Sequence, residues 1–312
     1  MVLLDHVNNG IKKYTYIDRN INYKRSVLLL FKLAKTSLVL SIALFSSLSF
    51  ASFGSAEAAN NDDVALFYLN HAKVSGDTPA EPIQNKFIKE EELNPTIERS
   101  TTIPVYDENG NLLNEYTIEK NTGAESKTSL LQTGKLVNVL VAVDEEYRSA
   151  HSDWQTRVSN IVESADDPFN EKFNIDLNIS AYKYWFSEGK NASELLSHLK
   201  GDGKDSYDLV IGFTGESDFY GVNGDFIGGL AYMYSSKPPY AGYSVVSNQS
   251  LSGTTRALQH EVSHNYGLDH DTAASTPICI MNYNTMYSTT TWHTAHFNEL
   301  ALRKLWYGTT FN

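Results

Sequence analysis

The sequence has a single cysteine, Cys279, among 312 residues. One cysteine cannot form a disulfide within the chain, and it cannot supply the several thiolates that usually close a structural zinc site. We expect a buried free thiol at this position; pairing between molecules is the alternative. No cysteine lies near the predicted leader cleavage site described below, so a lipid anchor at a mature N-terminus is not expected either.

Long apolar runs and positive charge are also scarce. Beyond residue 58 no apolar run is long enough to cross a membrane. The net charge is −12, and from Gly134 onward 12 Lys and Arg face 21 Asp and Glu. This acidic balance argues against nucleic acid or an anionic membrane as a partner of the mature protein, which we expect to be a monomer. Glycine-rich calcium repeats are absent, so calcium is not predicted.

The first 58 residues have the composition of a secretory signal peptide. Residues 1–35 contain seven Lys and Arg against two Asp and Glu, and residues 37–53 are uncharged and rich in Leu, Phe, Ala and Ser. Ala56-Glu57-Ala58 follows as a small-x-small cleavage site. This order predicts export with cleavage after Ala58. Because the basic region is unusually long, an uncleaved membrane anchor or a misassigned start is the alternative.

Residues 134–312 have the pattern of one α/β domain. Apolar segments at 136–143 and 207–213 are typical of buried parallel strands, and a third strand is predicted around 173–185. Helical spacing of apolar residues predicts helices at 150–165 and 192–200, between these strands. The alternation implies right-handed crossovers in a twisted, mostly parallel sheet. The same reasoning predicts strands at 228–234 and 243–247 and a final helix carrying Phe297, Leu300, Ala301 and Leu305.

Residues 260–270, His-Glu-Val-Ser-His-Asn-Tyr-Gly-Leu-Asp-His, predict a metal site. On a helix, His260 and His264 lie one turn apart on one face and can share an ion, with Glu261 beside it as a base. Gly267 is suited to a left-handed helix end, after which the chain can return His270 as a third ligand. Three imidazoles leave a position for water, as in catalytic zinc sites. A chance match on a polar helix is the alternative.

The spacing His-Glu-x-x-His-x-x-Gly-x-x-His resembles that of the metzincin metallopeptidases. In that family a methionine turn lies beneath the zinc ligands, and Cys279-Ile280-Met281-Asn282-Tyr283 is the candidate for it. Asn265, Asp271 and the Cys-Ile-Met sequence resemble the adamalysins (reprolysins). Tyr283 instead resembles a tyrosine of astacins and serralysins that reaches the metal and later the oxyanion. The mixture resembles small secreted bacterial metzincins related to both groups.

This resemblance implies a metzincin fold with a small C-terminal subdomain and an activity, the hydrolysis of internal peptide bonds. It implies Zn²⁺ on the three histidines, Glu261 as general base and Tyr283 as oxyanion donor. The segment Gly229-Leu230-Ala231-Tyr232 resembles the adamalysin edge strand, which runs antiparallel to the others and pairs with extended substrates. An amphipathic sheet margin without that role is the alternative. Ser252 or Thr254 is predicted to cap the helix that carries the first two histidines.

Residues 59–133, between the leader and this domain, predict a propeptide. They are acidic, with six Lys and Arg against 13 Asp and Glu, and contain one predicted hairpin, Thr102 to Ile118 around an Asn-Gly turn. The boundary is expected in the loop at 121–134. Val74-Ser75-Gly76-Asp77 faintly resembles the astacin element that places an aspartate on zinc. An ordinary Gly-Asp turn is the alternative.

The sequence therefore predicts a secreted zinc-dependent metalloendopeptidase made as a precursor. A secreted zinc protein that binds peptides without cleaving them is an alternative, although it requires a defect in the catalytic residues and none is visible. A membrane-anchored, sheddase-like protease is another, if residues 37–53 stay uncleaved. His293 and His296 also have ligand chemistry, but their spacing near a helix start favours a solvated surface.

Overall fold

The computed structural model describes residues 7–8, 11–12, 78–84, 93, 95–97, 100–120, 134–201, 206–217, 219–221, 224–272 and 277–311. The chain divides into two compact units, Met1–Ala59 and Asn60–Asn312. In the first unit, strands β1 (Val7–Asn8) and β2 (Ile11–Lys12) pair antiparallel. The apolar segment and cleavage site of the predicted leader lie outside the described residues.

The second unit contains the remaining strands and all the described helices. The strands are β3 (Thr78–Pro79), β4 (Ile83–Gln84), β5 (Thr101–Tyr106), β6 (Leu112–Ile118), β7 (Gly134–Val143), β8 (Ile175–Tyr184), β9 (Leu209–Thr214), β10 (Ile227–Met233), β11 (Gly242–Ser247) and β12 (Thr309–Phe311). The helices are α1 (Glu145–Ala150), α2 (Trp154–Phe173), α3 (Ala192–Gly201), α4 (Leu251–Asn265), a 3₁₀ turn (Met286–Ser288) and α5 (Thr294–Arg303). Among the described residues, no helix is both long and apolar enough to cross a bilayer.

The strands form one mixed sheet in the order β3-β10-β11-β9-β7-β8-β5-β6. Strands β11, β9, β7, β8 and β5 are parallel, whereas β10 runs antiparallel to β11. A mostly parallel sheet with an antiparallel strand beyond it is the predicted arrangement. Short segments extend it: β3 and β4 pair with the outer edge of β10, and β12 pairs with β7.

The side chains of β7 show that both faces of the sheet are covered. Val139 and Val141 belong to a core shared with residues of α2 and α4, whereas Leu140 and Ala142 belong to a second core shared with α3. Side chains of a strand alternate between faces, so a nearly continuous apolar strand needs helices on both sides. The sequence prediction of a buried parallel strand here is confirmed.

The helices differ most from the predicted pattern around α2. A helix was predicted over 150–165, but α1 ends at Ala150, and α2 begins at Trp154 and continues to residue 173, through Pro168. Phe169 and Phe173 extend the helix because both are buried against Trp292, with ring centroids 4.9 and 5.5 Å apart. Tertiary packing therefore outweighs the cost of an internal proline. The final helix, in contrast, ends before Leu305, which is 60% exposed.

The predicted hairpin forms, and it joins the main sheet. Strands β5 and β6 pair antiparallel, and β5 pairs in parallel with β8 through Val105 and Tyr106. Ile103 and Val105 are fully buried in the same core as α2. Residues assigned from sequence to a propeptide thus complete one end of the sheet, while the boundary at 133/134 stays a prediction.

Candidate metal centre

Helix α4 carries the first two histidines into the interior. Its N-cap is Ser250, whose hydroxyl accepts a hydrogen bond from the Gly253 N–H at 3.1 Å, so the prediction of Ser252 or Thr254 was wrong. The helix packs on β10, β11 and α2. At its end the Asn265 amide donates to the carbonyls of Tyr232 and Tyr243 at 2.9 and 3.0 Å, which fixes it to two adjacent strands.

Gly267 turns the chain back, as predicted. Its φ is +81°, in the left-handed region, and its N–H donates to the His264 carbonyl at 2.7 Å. A Cβ at this position would lie 2.4 Å from the Tyr234 carbonyl oxygen, so the turn has no room for a side chain. The three residues that follow bring His270 against the other two histidines.

The three predicted ligands converge on one point. The Nε2 atoms of His260 and His264 are 2.9 Å apart, and Nε2 of His270 is 2.8 and 3.0 Å from them. His260 and His264 are completely buried. The cluster thus lies inside the protein, with His270 on its more accessible side.

Hydrogen bonds to the other ring nitrogens orient this cluster. Nδ1 of His260 donates to the Ile280 carbonyl, and Nδ1 of His264 donates to the Leu268 carbonyl, both at 2.7 Å. A neutral imidazole has one N–H, so these bonds leave Nε2 of both rings as a lone pair. The Nε2 atoms therefore face one another without a proton to share, an arrangement that suits a cation bound by all three.

Burial keeps these rings neutral. It is the main cause that lowers the pKa of His264 to about 4 and that of His260 well below its usual value, and repulsion from His264 adds to the effect on His260. The pKa of His270 is lowered too, first by burial and then by the two other rings. Neutral imidazole is the form that binds metal. Separations of 2.8 to 3.0 Å allow one ion to reach all three nitrogens at the usual zinc–imidazole distance of about 2.0–2.1 Å. The residues present therefore fit zinc.

Glu261 lies beside the cluster as a buried carboxyl group. It is 1% exposed, and neither carboxylate oxygen has a hydrogen-bond partner within the described part of the chain. Burial raises its pKa well above the usual value. An unpaired buried carboxyl is costly to a fold, and perturbed groups of this kind cluster at functional sites.

The segment 279–283 packs against helix α4. Met281 is fully buried in the same core as Val262 of α4, and its carbonyl accepts a hydrogen bond from the Asp271 N–H at 3.0 Å. The Ile280 carbonyl in this segment holds His260, as described above. The free thiol of Cys279 is buried, as predicted.

Tyr283 approaches His270 from the side away from the cluster. Its hydroxyl is 3.1 Å from Nδ1 of His270, and it also hydrogen-bonds with the carboxylate of Glu81. Burial, followed by the nearby Glu81, raises the pKa of Tyr283. With Nε2 of His270 facing the cluster, Nδ1–H donates to the tyrosine oxygen, and the tyrosine O–H donates to Glu81.

Glu81 reaches this site because residues 78–84 lie along the outer edge of β10. Thr78 and Pro79 pair with Met233 and Tyr232, and the Ala80 N–H donates to the Ala231 carbonyl at 2.7 Å. Farther along, β4 pairs with the start of β10, so Glu81 sits between two paired segments. No sequence pattern pointed to Glu81, because it lies about two hundred positions from Tyr283 in the chain. Asp77, the residue the sequence did single out, lies outside the described residues.

A comparison with known protein families found a match that includes this site. A family model described as metallopeptidase family M12 (Reprolysin_5) matches residues 133–296. No curated protein matches the chain. Among solved structures, a chain from "Structure of a chaperone-substrate complex" aligns at 17% identity with a TM-score of 0.40, covering 56% of this chain and 35% of that one. This protein thus spans about a third of that structure's length.

The family match begins one residue before β7 and continues past Tyr283, so it contains the histidine cluster, Glu261 and strands β7 to β11. It extends over more than half of the chain. The protein therefore belongs to metallopeptidase family M12, whose members are typically zinc-dependent peptidases.

Proposed function

We propose that this protein is a secreted zinc metalloendopeptidase that is made as a latent precursor. The observation that carries the proposal is the buried cluster of three Nε2 lone pairs beside the unpartnered carboxyl of Glu261. A purely structural metal site needs no such acid. The segment 279–283 is proposed as the Met-turn of a metzincin fold, with the residues after it as the small C-terminal subdomain.

His260, His264 and His270 would hold the zinc ion, which would supply Lewis acidity toward water and the scissile carbonyl. Glu261 accepts a proton from the water whose oxygen attacks the carbonyl carbon. It then delivers that proton to the amide nitrogen as the carbon–nitrogen bond breaks.

Substrates are proposed to bind as an extended strand along Gly229–Tyr232. The support is that the chain's own residues 78–84 already pair there antiparallel to β10. Backbone hydrogen bonds along a sheet edge hold peptides of varied sequence, which suits an endopeptidase.

Gly229 lets this edge strand pass close to Glu261. A Cβ added at residue 229 would lie 2.6 Å from Oε1 and 2.7 Å from Cγ of Glu261, so the carboxyl group would have to move. We expect Gly229→Ala to lower kcat by about tenfold to a hundredfold with zinc content unchanged, because small misplacements of catalytic groups are costly. The control is Gly201→Ala in α3, where an added Cβ meets nothing within 4 Å. Equal kcat values for the two variants would contradict this arrangement.

Tyr283 is proposed to turn toward the cluster and stabilise the oxyanion once its hydrogen bonds to His270 and Glu81 are released. Removing one donor of this kind typically costs about a hundredfold in rate. We expect Tyr283→Phe to lower kcat of the activated enzyme by about that factor while the zinc content stays the same. A variant with normal turnover would reject the role.

Latency is proposed to depend on residues 78–84, which occupy the substrate edge while Glu81 engages Tyr283. Because Glu81 is exposed, we assign its hydrogen bond the ordinary worth of about 0.5–1.5 kcal/mol. Glu81→Ala, which removes the acceptor oxygens altogether, should therefore raise the activity of the intact precursor about two- to twelvefold. The measurement is peptide hydrolysis by chains shown to be uncut by mass spectrometry.

The matched control for this variant is Glu115→Ala, which removes an exposed carboxylate on β6. It removes the same charge without touching the site, so it should leave the precursor latent. Asp77→Ala tests the alternative that the sequence raised. Activation by the Asp77 variant alone would move latency from Glu81 to that residue.

Secretion is proposed from the basic, apolar and small-residue segments of residues 1–58. N-terminal sequencing of the protein in the culture medium tests it. A sequence that begins after Ala58, or later, supports export and cleavage. Retention of the whole N-terminal segment in the membrane fraction would instead support the anchored, sheddase-like alternative.

Casein digestion tests the proposed activity. The full-length chain is loaded with zinc, nicked by trypsin at Lys127 in the predicted boundary segment 121–134, freed of trypsin and incubated with casein. Internal cleavage that stops with 1,10-phenanthroline and returns with Zn²⁺ is the expected result. A zinc-loaded chain that binds casein peptides but leaves them intact would favour the non-catalytic binding protein.

A further inference from the structure

A second group of metal-ligand side chains lies beside the three-histidine cluster. It consists of Asp271, Cys279, His293 and His296, whose ligand atoms all lie within 4.8 Å of one another. Sγ of Cys279 is 3.4 Å from Nδ1 of His296, and Nδ1 of His293 is 3.7 Å from Oδ1 of Asp271. The prediction of a solvated surface for the two histidines was wrong for His296, which is 7% exposed.

Without a cation, this group leaves buried polar atoms unsatisfied. Oδ2 of Asp271 and Nδ1 of His293 are buried and have no hydrogen-bond partner among the described residues. The Asp271 side chain is only 8% exposed. Leaving such atoms unpaired is costly, so their convergence with a thiol and a second imidazole needs a physical reason.

The ligand types and two of the six ligand-atom separations match those of zinc. Zinc bonds of about 2.0–2.3 Å in a tetrahedron place neighbouring ligand atoms roughly 3.3–3.8 Å apart. The distance from Cys279 Sγ to His296 Nδ1 is 3.4 Å and that from His293 Nδ1 to Asp271 Oδ1 is 3.7 Å, and both lie in that range. One thiolate and one carboxylate also balance the charge of a divalent ion, which reduces the cost of burying it.

We propose that Asp271, Cys279, His293 and His296 bind a second, structural Zn²⁺ ion. Four protein ligands close the coordination sphere and leave no position for a substrate, which distinguishes this site from the three-histidine cluster. The ion would join three separate pieces of chain: the residue after His270, the start of the 279–283 segment and the start of α5. It would thus supply the crosslink that a chain with one cysteine cannot make as a disulfide.

Zinc analysis of the full-length chain gives the first test. We expect about two zinc ions per chain, and Cys279→Ser should halve that content. His260→Ala with His264→Ala should also leave one ion per chain, because that pair removes only the other site. One zinc in the wild-type chain, lost on mutation of the histidine pair, would overturn the proposal.

Cobalt substitution distinguishes the two sites even if a variant folds poorly. The three-histidine cluster has no sulfur ligand, so a near-ultraviolet sulfur-to-cobalt charge-transfer band can come only from Cys279, the single cysteine. We expect this band in Co²⁺-loaded wild type and in the His260/His264 variant. Its absence from wild type containing two cobalt ions per chain would overturn the proposal, whatever the peptidase activity proves to be.

Discussion

Replacement of Glu261 by Gln lowers the rate of casein hydrolysis by about a hundred- to ten-thousandfold while the zinc content stays at the wild-type level. This is the expected result if Glu261 transfers the proton, since general acid–base catalysis typically contributes a factor of that size. Gln has nearly the same shape as Glu, so the buried pocket beside Gly229 is filled as before. The amide cannot accept the proton from water, and only this step is removed.

Two measurements separate loss of chemistry from loss of structure. Zinc content shows whether the three histidines still bind the ion. The hydrogen bonds that orient His260 and His264, to the carbonyls of Ile280 and Leu268, do not involve Glu261. The thermal unfolding midpoint reports the fold. A Glu261→Gln enzyme with zinc bound, a normal midpoint and more than a tenth of wild-type kcat would show that another group is the base.

A chain that begins at Gly134 should be strongly destabilised. It lacks the β5–β6 hairpin, and three core side chains of that hairpin, Ile103, Val105 and Ile118, are 0%, 0% and 7% exposed. Each contributes about 1.5–3 kcal/mol when buried, so their loss costs about 4.5–9 kcal/mol as an upper estimate. That is comparable with the whole stability of a typical domain, about 5–15 kcal/mol. The hairpin also covers the edge of β8, which would otherwise be open to aggregation.

Urea unfolding of three chains tests this prediction. One begins at Asn60, one at Ser100, which keeps the hairpin but removes residues 78–84, and one at Gly134. We expect the first two to unfold cooperatively and the third to have a much lower midpoint or no folded baseline. Equal midpoints for the last two chains would show that the hairpin is dispensable. With the expected result, a maturation cut near residue 134 has to leave the hairpin bound.

The parts of the fold that follow from short sequence patterns were predictable. Strands β7 to β11 lie within a few residues of their predicted positions, because buried strands need runs of apolar residues and these are visible locally. The full extent of α2 was not predictable. The helix passes Pro168 only because of aromatic packing against Trp292, which is distant in sequence. The N-cap was misplaced because several hydroxyl residues lie at or just inside the start of α4, and the pattern cannot choose among them.

The same distinction applies to the site. The spacing of the histidines, Glu261 and Gly267 is contained in eleven residues, so helix geometry alone brought the ligands together in the prediction. The contact between Glu81 and Tyr283 and the grouping of Asp271 with His296 depend on the tertiary fold. Neither produces a local pattern. The role of Gly229 was likewise hidden, because its neighbour is a carboxyl on a different element.

The pairing of residues 78–84 with β10 has a consequence for when the proposed enzyme acts. While the segment is covalently attached, its effective concentration at the strand edge is on the order of millimolar. After a cut between residue 84 and the β5–β6 hairpin, which leaves the hairpin in place, the segment becomes a separate competitor, and its occupancy then falls with dilution. Freshly matured protein would stay inhibited where it is concentrated, near the producing cell, and gain activity as it diffuses away.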